Sequence, residues 1–498
     1  MVTKDQSSST RISSAYSLTT TQRVGLMLGP LWCIVCLLTP IALVSNDAWS
    51  TLGVAGWVLC WWITEPIPIG VTSLLPLFGL SITGTISLKE AATPYGHPIV
   101  FLFLSGFILA IALEEWKLHQ RFALWILSKT GTTKKSILLG FMLATAILSM
   151  WISNTATTLM MLPMALSVLH LIASKRTHHQ SSIRSDSDSD SDSGHLIPID
   201  RFTIALLLGI AYAANIGGTM TLIGTPPNLA LSGFFPELSF IDWLQIGVPF
   251  GTLMFIVTYG FLCLLFKKDH DQSLENATQV IRDAQGALGT ISTAEKRVAT
   301  IGLFVAVAWI SRRQLNQLPI FAHLTDHTIG LLGVFALFIT PSGTGRPLLI
   351  WDNLRRLPWD IYLLFGGGLC LANALQRVGI MHAVGDYLAQ FSGQSLMGII
   401  LFTAISLLLT EVMSNIALVN VFIPVVSAVA LAQNVVPLHL CIPVTLAASC
   451  AFMLPMGTPP NAIVFGSGSL KMIDMIRAGI FLNIAAVMLI VALCSLIL

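Results

Sequence analysis

A segment that enters a membrane and returns to the same side constrains the fold of this chain most strongly. Residues 134–176 contain two apolar arms, 136–152 and 156–174, which meet at a polar Ser-Asn-Thr tip at 153–155. Each arm has roughly 17 to 19 residues, near the lower limit for a helix that crosses a bilayer. Both outer ends carry two consecutive basic residues. Because Lys and Arg collect on the cytoplasmic side, the sequence predicts a re-entrant hairpin with its tip buried in protein or facing a watery cavity.

A second hairpin of the same pattern lies at 392–434. Its arms, 396–413 and 417–433, meet at Ser-Asn-Ile, residues 414–416. No Lys or Arg occurs between 378 and 470, so both ends of this copy are expected to face outward. Two similar hairpins that enter from opposite sides are typical of an inverted repeat.

Composition places the chain among integral membrane proteins. Of its 498 residues, 54% are hydrophobic and only 10% are charged. We therefore expect an all-α polytopic protein of the plasma (inner) membrane, with about eleven transmembrane helices plus two re-entrant hairpins. The net charge of +2 comes from loops, and no nucleic-acid partner is expected. The eight Cys lie in apolar segments and are interpreted as small buried residues.

Apolar runs and breaks divide the chain into two repeats. The predicted plan is a cytoplasmic tail (1–23), a first transmembrane helix (24–49), a first repeat (50–266), a cytoplasmic connector (267–297) and a second repeat (298–498). The first repeat adds a Ser/Asp-rich loop at 177–200, expected to be disordered, and a broken helix at 202–233; the second has its broken helix at 437–470. With the N-terminus cytoplasmic and the C-terminus outside, every Lys and Arg is inside except Lys89, Arg312, Arg313 and Arg377.

The sequence Gly-Thr-Pro-Pro-Asn interrupts both predicted broken helices, at 224–228 and 457–461. Thr225 and Thr458 fit the helix cap, and Pro226 and Pro459 fit the first helical position, where a missing N–H is harmless. Each break offers carbonyls that favour a cation and N–H groups that favour an anion. Such breaks near mid-membrane are typical of transporter binding sites.

Other functions are less consistent with these patterns. A membrane enzyme is disfavoured because no His, Cys or carboxylate cluster lies at the breaks, and a channel is disfavoured because no charged ring is present. Glu411, one turn before the second tip, has two open interpretations: a functional carboxylate or a structural hydrogen-bond anchor.

The doubled Ser-Asn hairpins, the doubled Gly-Thr-Pro-Pro-Asn motif and the Trp-Trp-Ile-Thr-Glu run at 61–65 resemble the divalent anion:sodium symporter family over residues 24–498. The resemblance implies a homodimer whose protomers have a scaffold domain and a transport domain that moves as an elevator. It implies Na⁺-coupled symport of a divalent anion, and a C4-dicarboxylate such as succinate, malate or fumarate is expected. The alternatives are a sulfate or tricarboxylate symporter and a Na⁺-independent exchanger of the same fold.

The resemblance also implies a set of site residues. The first sodium site would use Ser149, Ser153, Asn154 and the Gly224 carbonyl, and the second Thr410, Ser414, Asn415 and the Gly457 carbonyl. Substrate would contact Asn154, Thr155, Thr225, Asn415 and Thr458, with Pro226 and Pro459 nearby. The chain departs from the Ser-Asn-Thr pattern at Ile416, which leaves the particular anion open.

Basic side chains are missing from the segments around the tips and breaks. No Lys, Arg or His occurs at 136–168, 202–266 or 383–437. A dianion buried near mid-membrane needs compensating positive charge, and half-helix dipoles supply only about half a charge each. We therefore expect the positive charge to arrive as Na⁺ bound together with the substrate.

Overall fold

The computed structural model describes residues 18–39, 45–181, 200–266, 275–392 and 395–497. Within these ranges every regular element is a helix, and the only β-type pairing is an isolated bridge between Pro341 and Pro347. The predicted all-α class is confirmed for the described part of the chain.

Helices of the first half lie between residues 20 and 265. They are α1 (Thr20–Leu38), α2 (Asn46–Thr64), α3 (Ile69–Thr72), α4 (Leu75–Ile82), α5 (Leu88–Ala92), α6 (Pro98–Glu115), α7 (Leu118–Lys129), α8 (Lys134–Ser149), α9 (Asn154–Ser181), α10 (Arg201–Met220), α11 (Pro226–Phe234) and α12 (Phe240–Leu265).

Helices of the second half begin in the connector. They are α13 (Glu275–Ala287), α14 (Thr293–Ile310), α15 (Arg312–Leu315), α16 (Asp326–Ile339), α17 (Trp359–Arg377), α18 (Ile380–Ser392), α19 (Ser395–Thr410), α20 (Asn415–Ala432), α21 (Pro437–Ala448), α22 (Pro459–Gly466) and α23 (Met472–Ile497). Short 3₁₀ turns occupy Thr93–Gly96, Pro319–Phe321 and Trp351–Arg356.

Side-chain caps fix where several of these helices begin. The Thr133 side chain accepts a hydrogen bond in the first turn of α8. Reciprocal capping boxes start α12, with Ser239 and Asp242, and α14, with Ser292 and Glu295. Each cap satisfies N–H groups that the first helical turn leaves without an intrahelical partner.

Several helices are long and apolar enough to cross a membrane. By length and composition, six segments of the described chain qualify: α1, the run from α5 through α6, α10, α12, α20 and α23. The pair α17 and α18, bent by 81°, would make a seventh. Shorter apolar helices include α16, α19, α21 and the segment Ile69–Ile82. The protein is therefore an integral membrane protein, and the count of eleven spans stays a prediction.

The core is built around α10 and α21, the first segments of the two broken helices. Helix α10 packs against α8, α9 and α12, and α21 packs against α19, α20 and α23. The second segments of the broken helices, α11 and α22, each pack against the other half of the chain. Helix α22 packs against α9 and α10, whereas α11 packs against α20 and α21. This exchange brings both breaks and both hairpin tips to one place.

Some predicted boundaries fall at the edges of the described residues. Helix α9 continues to Ser181, five residues into the loop predicted at 177–200, and residues 182–199 lie outside the described residues. The predicted tail lies mostly outside them, and the connector is described from Glu275 onward, where it forms α13.

All eight cysteines are unpaired, and six of them are buried. Cys33 and Cys36 lie one helical turn apart on the buried side of α1. The interpretation of the cysteines as small residues that pack in apolar surroundings agrees with these positions.

The contact between α8 and α10 gives a stability prediction. A Cβ on Gly217 would lie 2.2 Å from the Ala146 carbonyl oxygen, so Gly217→Ala forces two helix backbones apart. Overpacking of this kind costs about 1–3 kcal/mol. We expect Gly217→Ala to lower the Tm of the detergent-solubilised protein by several degrees. Gly260→Ala in α12 is the matched control, because nothing lies within 4 Å of its added Cβ. Equal Tm values for the two variants would contradict the close packing of α8 and α10.

Candidate functional site

The tip of the first hairpin is a four-residue turn between α8 and α9. Helix α8 ends at Ser149 and α9 begins at Asn154. The Ser149 hydroxyl donates to Asn154 Oδ1 at 2.5 Å, and Ser153 Oγ accepts from the Ala156 N–H at 3.2 Å. Ser153 therefore caps α9, and the side-chain oxygen of Asn154 is hydrogen-bonded to Ser149 at the end of α8.

The second tip repeats the bond to its asparagine, whereas Ser414 makes no side-chain cap bond to α20. Helix α19 ends at Thr410 and α20 begins at Asn415. Thr410 Oγ1 lies 2.7 Å from Asn415 Oδ1 and 2.5 Å from the Ala448 carbonyl oxygen. In both hairpins, a hydroxyl five residues earlier holds the tip asparagine. Ser149 and Thr410 are fully buried, so they lie behind their asparagines.

Both breaks place the predicted threonine at the cap position of the following helix. Thr225 and Thr458 are the N-caps of α11 and α22, and each helix starts with its Pro-Pro pair. The extended backbone at each Thr turns the chain before the helix begins. The predicted role of the two Gly-Thr-Pro-Pro-Asn motifs as helix starts is therefore confirmed.

The asparagine that ends each motif ties its break together. Asn228 Nδ2 donates to the Gly218 and Thr221 carbonyls at 3.1 and 2.8 Å. Asn461 Nδ2 donates to the Ala451 and Leu454 carbonyls at 2.9 and 3.1 Å. The acceptors lie ten and seven residues earlier in both copies. Sequence reasoning gave these asparagines no role, although their recurrence at the same motif position was a signal.

One cavity of about 1140 Å³ joins the two tips and the two breaks. It is lined by all predicted site residues except Ser149 and Thr410: Ser153, Asn154, Thr155, Gly224, Thr225, Pro226, Ser414, Asn415, Ile416, Gly457, Thr458 and Pro459. Asn215 of α10, which sequence reasoning did not single out, also lines it. The site is therefore composed of hydroxyl and amide groups, glycine and proline backbone, and apolar side chains such as Ile416.

Charged groups in the cavity wall lie on other elements than the tips. Among the described residues that line the cavity, Arg356 is the only basic one, and it forms an ion pair with Glu115. Acidic lining residues are Glu65, Glu114 and Asp360. The tips and breaks thus contribute neutral oxygens and nitrogens to the cavity.

Glu411 makes the contacts of a hydrogen-bond anchor. Its carboxylate accepts from the backbone N–H groups of residues 452, 453 and 454, each at 3.0 Å, and from Asn483 Nδ2 at 2.7 Å. These three consecutive N–H groups lie between α21 and α22, where no helix can satisfy them. The structural interpretation of this carboxylate explains all four bonds.

Apolar helices, two polar helix–turn–helix tips and two broken helices around a shared polar cavity are typical of a membrane transport protein. A family model described as the sodium:sulfate symporter transmembrane region matches residues 21–497. The chain belongs to this family of sodium-coupled divalent-anion symporters.

Curated relatives extend over nearly the whole chain. The sodium-dependent dicarboxylate transporter SdcS of Staphylococcus saprophyticus is 39% identical over 483 residues, which cover 94% of this chain and 90% of the relative. SdcS of Staphylococcus aureus strain MRSA252 is 36% identical over 486 residues, which cover 95% and 90% respectively.

The anchor at Glu411 gives a second stability prediction. Glu411→Ala removes the acceptor of three backbone N–H groups and one amide at buried and half-buried positions, and an unsatisfied buried group costs about 1–3 kcal/mol. We expect a loss of at least about 3 kcal/mol, measured as a fall in denaturation midpoint in detergent. Glu411→Gln keeps one carbonyl acceptor, so its denaturation midpoint should lie between those of Glu411→Ala and the unsubstituted protein. The matched control is Val412→Ala at the exposed neighbouring position. A Glu411→Ala protein as stable as this control would contradict the anchor.

Proposed function

We propose that this protein is a secondary active transporter that imports a divalent anion together with Na⁺, and that the anion is a C4-dicarboxylate. One observation carries the proposal: both Ser-Asn tips and both Gly-Thr-Pro-Pro-Asn breaks line a single cavity. The relatives described as sodium-dependent dicarboxylate transporters support dicarboxylate as the substrate class.

The proposed topology has eleven transmembrane helices and two re-entrant hairpins in an inverted repeat, with the N-terminus cytoplasmic and the C-terminus outside. The matched packing of α10 and α21, and the exchanged packing of α11 and α22, support a repeat. A homodimer with an elevator-type transport domain follows from the family resemblance.

Two sodium sites, one at each tip, are proposed to bind Na⁺ as the co-transported ion. The first would be formed by Ser149, Ser153, Asn154 and the Gly224 carbonyl. Asn154 already lies against α10, since a Cβ on Gly218 would be 2.5 Å from Asn154 Oδ1. Amide, hydroxyl and carbonyl oxygens of this kind suit a hard monovalent cation.

The second sodium site would be formed by Thr410, Ser414, Asn415 and the Gly457 carbonyl. The matching bonds Ser149–Asn154 and Thr410–Asn415 support equivalent roles for the two tips. When Na⁺ is present, each asparagine oxygen can bind the ion while its amide nitrogen donates to the substrate.

Substrate is proposed to lie between the tips, in contact with Asn154, Thr155, Asn415, Thr225 and Thr458. Pro226 and Pro459 flank it. Ile416 occupies the position equivalent to Thr155 and lines the same cavity, so the second tip meets the substrate with an apolar side chain.

Sodium dependence gives the central test. Because the tips carry no basic residue, we expect succinate binding to require Na⁺ and uptake of labelled succinate by proteoliposomes to require an inward Na⁺ gradient. Both should be lost in choline or K⁺ buffer. Citrate and sulfate, measured in parallel, test the alternative substrates. Full succinate binding and homo-exchange without Na⁺ would reject the symporter and favour the exchanger.

The tip asparagines give a prediction about the site itself. Asn154→Ala or Asn415→Ala should abolish uptake while the protein remains folded, because each amide serves both cation and anion. Asn46→Ala, at the exposed start of α2, is the control and should transport normally. Uptake near the unsubstituted level by either tip variant, measured in the same proteoliposomes, would refute the assigned site.

A further inference from the structure

Asn215 links the two halves of the molecule inside the site. It lies in α10, is 1% exposed, and donates from Nδ2 to Thr458 Oγ1 at 3.0 Å. The two residues are 243 positions apart in the chain. By the offset between the two Gly-Thr-Pro-Pro-Asn motifs, the position equivalent to Asn215 in the second half is Ala448, the last residue of α21, so the second half supplies no matching side chain.

Neighbouring contacts fix which way the Asn215 amide points. Asn461 Nδ2 is committed to the carbonyls of residues 451 and 454, so Asn461 Oδ1 faces away from them, 3.5 Å from Asn215 Nδ2. An oxygen of Asn215 placed there would repel Asn461 Oδ1. Asn215 must therefore present its NH₂ group to Asn461 and to Thr458.

We infer that Asn215 is a positioning residue that holds the Thr458 hydroxyl as a hydrogen-bond donor to an oxygen of the bound anion. A hydroxyl has two acceptor lone pairs and one O–H. Thr458 Oγ1 accepts from Asn215 Nδ2 at 3.0 Å and from the Asn461 N–H at 3.4 Å. The O–H of Thr458 therefore remains to donate a hydrogen bond, and Thr458 lines the cavity.

This arrangement assigns Thr458 to the anion. A sodium ion binds through oxygen lone pairs, and both lone pairs of Thr458 Oγ1 are already used. A carboxylate or sulfate oxygen is an acceptor and matches the remaining O–H. A donor that is oriented before the substrate arrives loses less freedom on binding than one that rotates.

The first break has no equivalent of the hydrogen bond from Asn215 to Thr458. Thr225 accepts no side-chain cap hydrogen bond, and no residue like Asn215 exists at position 448. The two threonines therefore differ, and substrate meets one pre-oriented donor, at Thr458. The inference rests on the proposed function, since it concerns the substrate of the same site.

The test compares Asn215→Ala, Thr458→Val and the double variant for Na⁺-driven succinate uptake in proteoliposomes. Each single change should raise the KM for succinate about threefold to tenfold, with little change in the Na⁺ concentration at half-saturation. The double variant should be no worse than Thr458→Val, because both changes remove the same donor. Thr225→Val is the matched control. When Thr225→Val is combined with Asn215→Ala, the fold-change in KM should be the product of the two single fold-changes.

Two results would overturn the inference. One is an Asn215→Ala protein with a lowered Tm and an unchanged KM, which would make Asn215 a structural link only. The other is a double variant whose KM change is the product of the single changes. Asn215→Ser, too short to reach Thr458, replaces Asn215→Ala if that protein does not fold. Absence of Na⁺-driven uptake in the unsubstituted protein would instead reject the proposed function.

Discussion

A helix that breaks inside a membrane exposes N–H and carbonyl groups that lipid cannot satisfy, and this constraint governs the centre of the protein. Each break is closed by an asparagine of its own motif: Asn228 and Asn461 donate back to the end of the preceding half-helix. Because these bonds hold the breaks open as defined turns, Thr225 and Thr458 can start the second half-helices at the cavity wall.

The two halves meet this constraint with different side chains. In the first half, the Thr221 hydroxyl donates to the Met150 carbonyl at 2.6 Å, which ties the break to the hairpin tip. In the second half, Glu411, which lies beside the second tip, ties that tip to its break by accepting hydrogen bonds from three backbone N–H groups. The two breaks therefore share a motif but differ in the side chains that support them, and Ile416 and Asn215 extend this asymmetry to the wall of the cavity.

Charge balance connects this architecture with ion coupling. The tips contribute hydroxyl and amide groups to the cavity, and its one basic lining residue among those described, Arg356, pairs with Glu115. A dianion bound at the tips, as we propose, would have to be neutralised by a cation that binds with it, since an isolated buried charge is very costly. Membership of a sodium-coupled family agrees with this physical requirement.

The sequence by itself determined the all-helical class, the two hairpin tips and the starts of α11 and α22, because apolar runs, Pro-Pro pairs and caps are local patterns. Only the tertiary structure decided that Ser149 and Thr410 lie behind their asparagines, that Glu411 anchors the second break and that Asn215 reaches Thr458. These features depend on contacts between different helices, in the last case across 243 residues of chain. Local periodicity carries no information about which distant side chains meet.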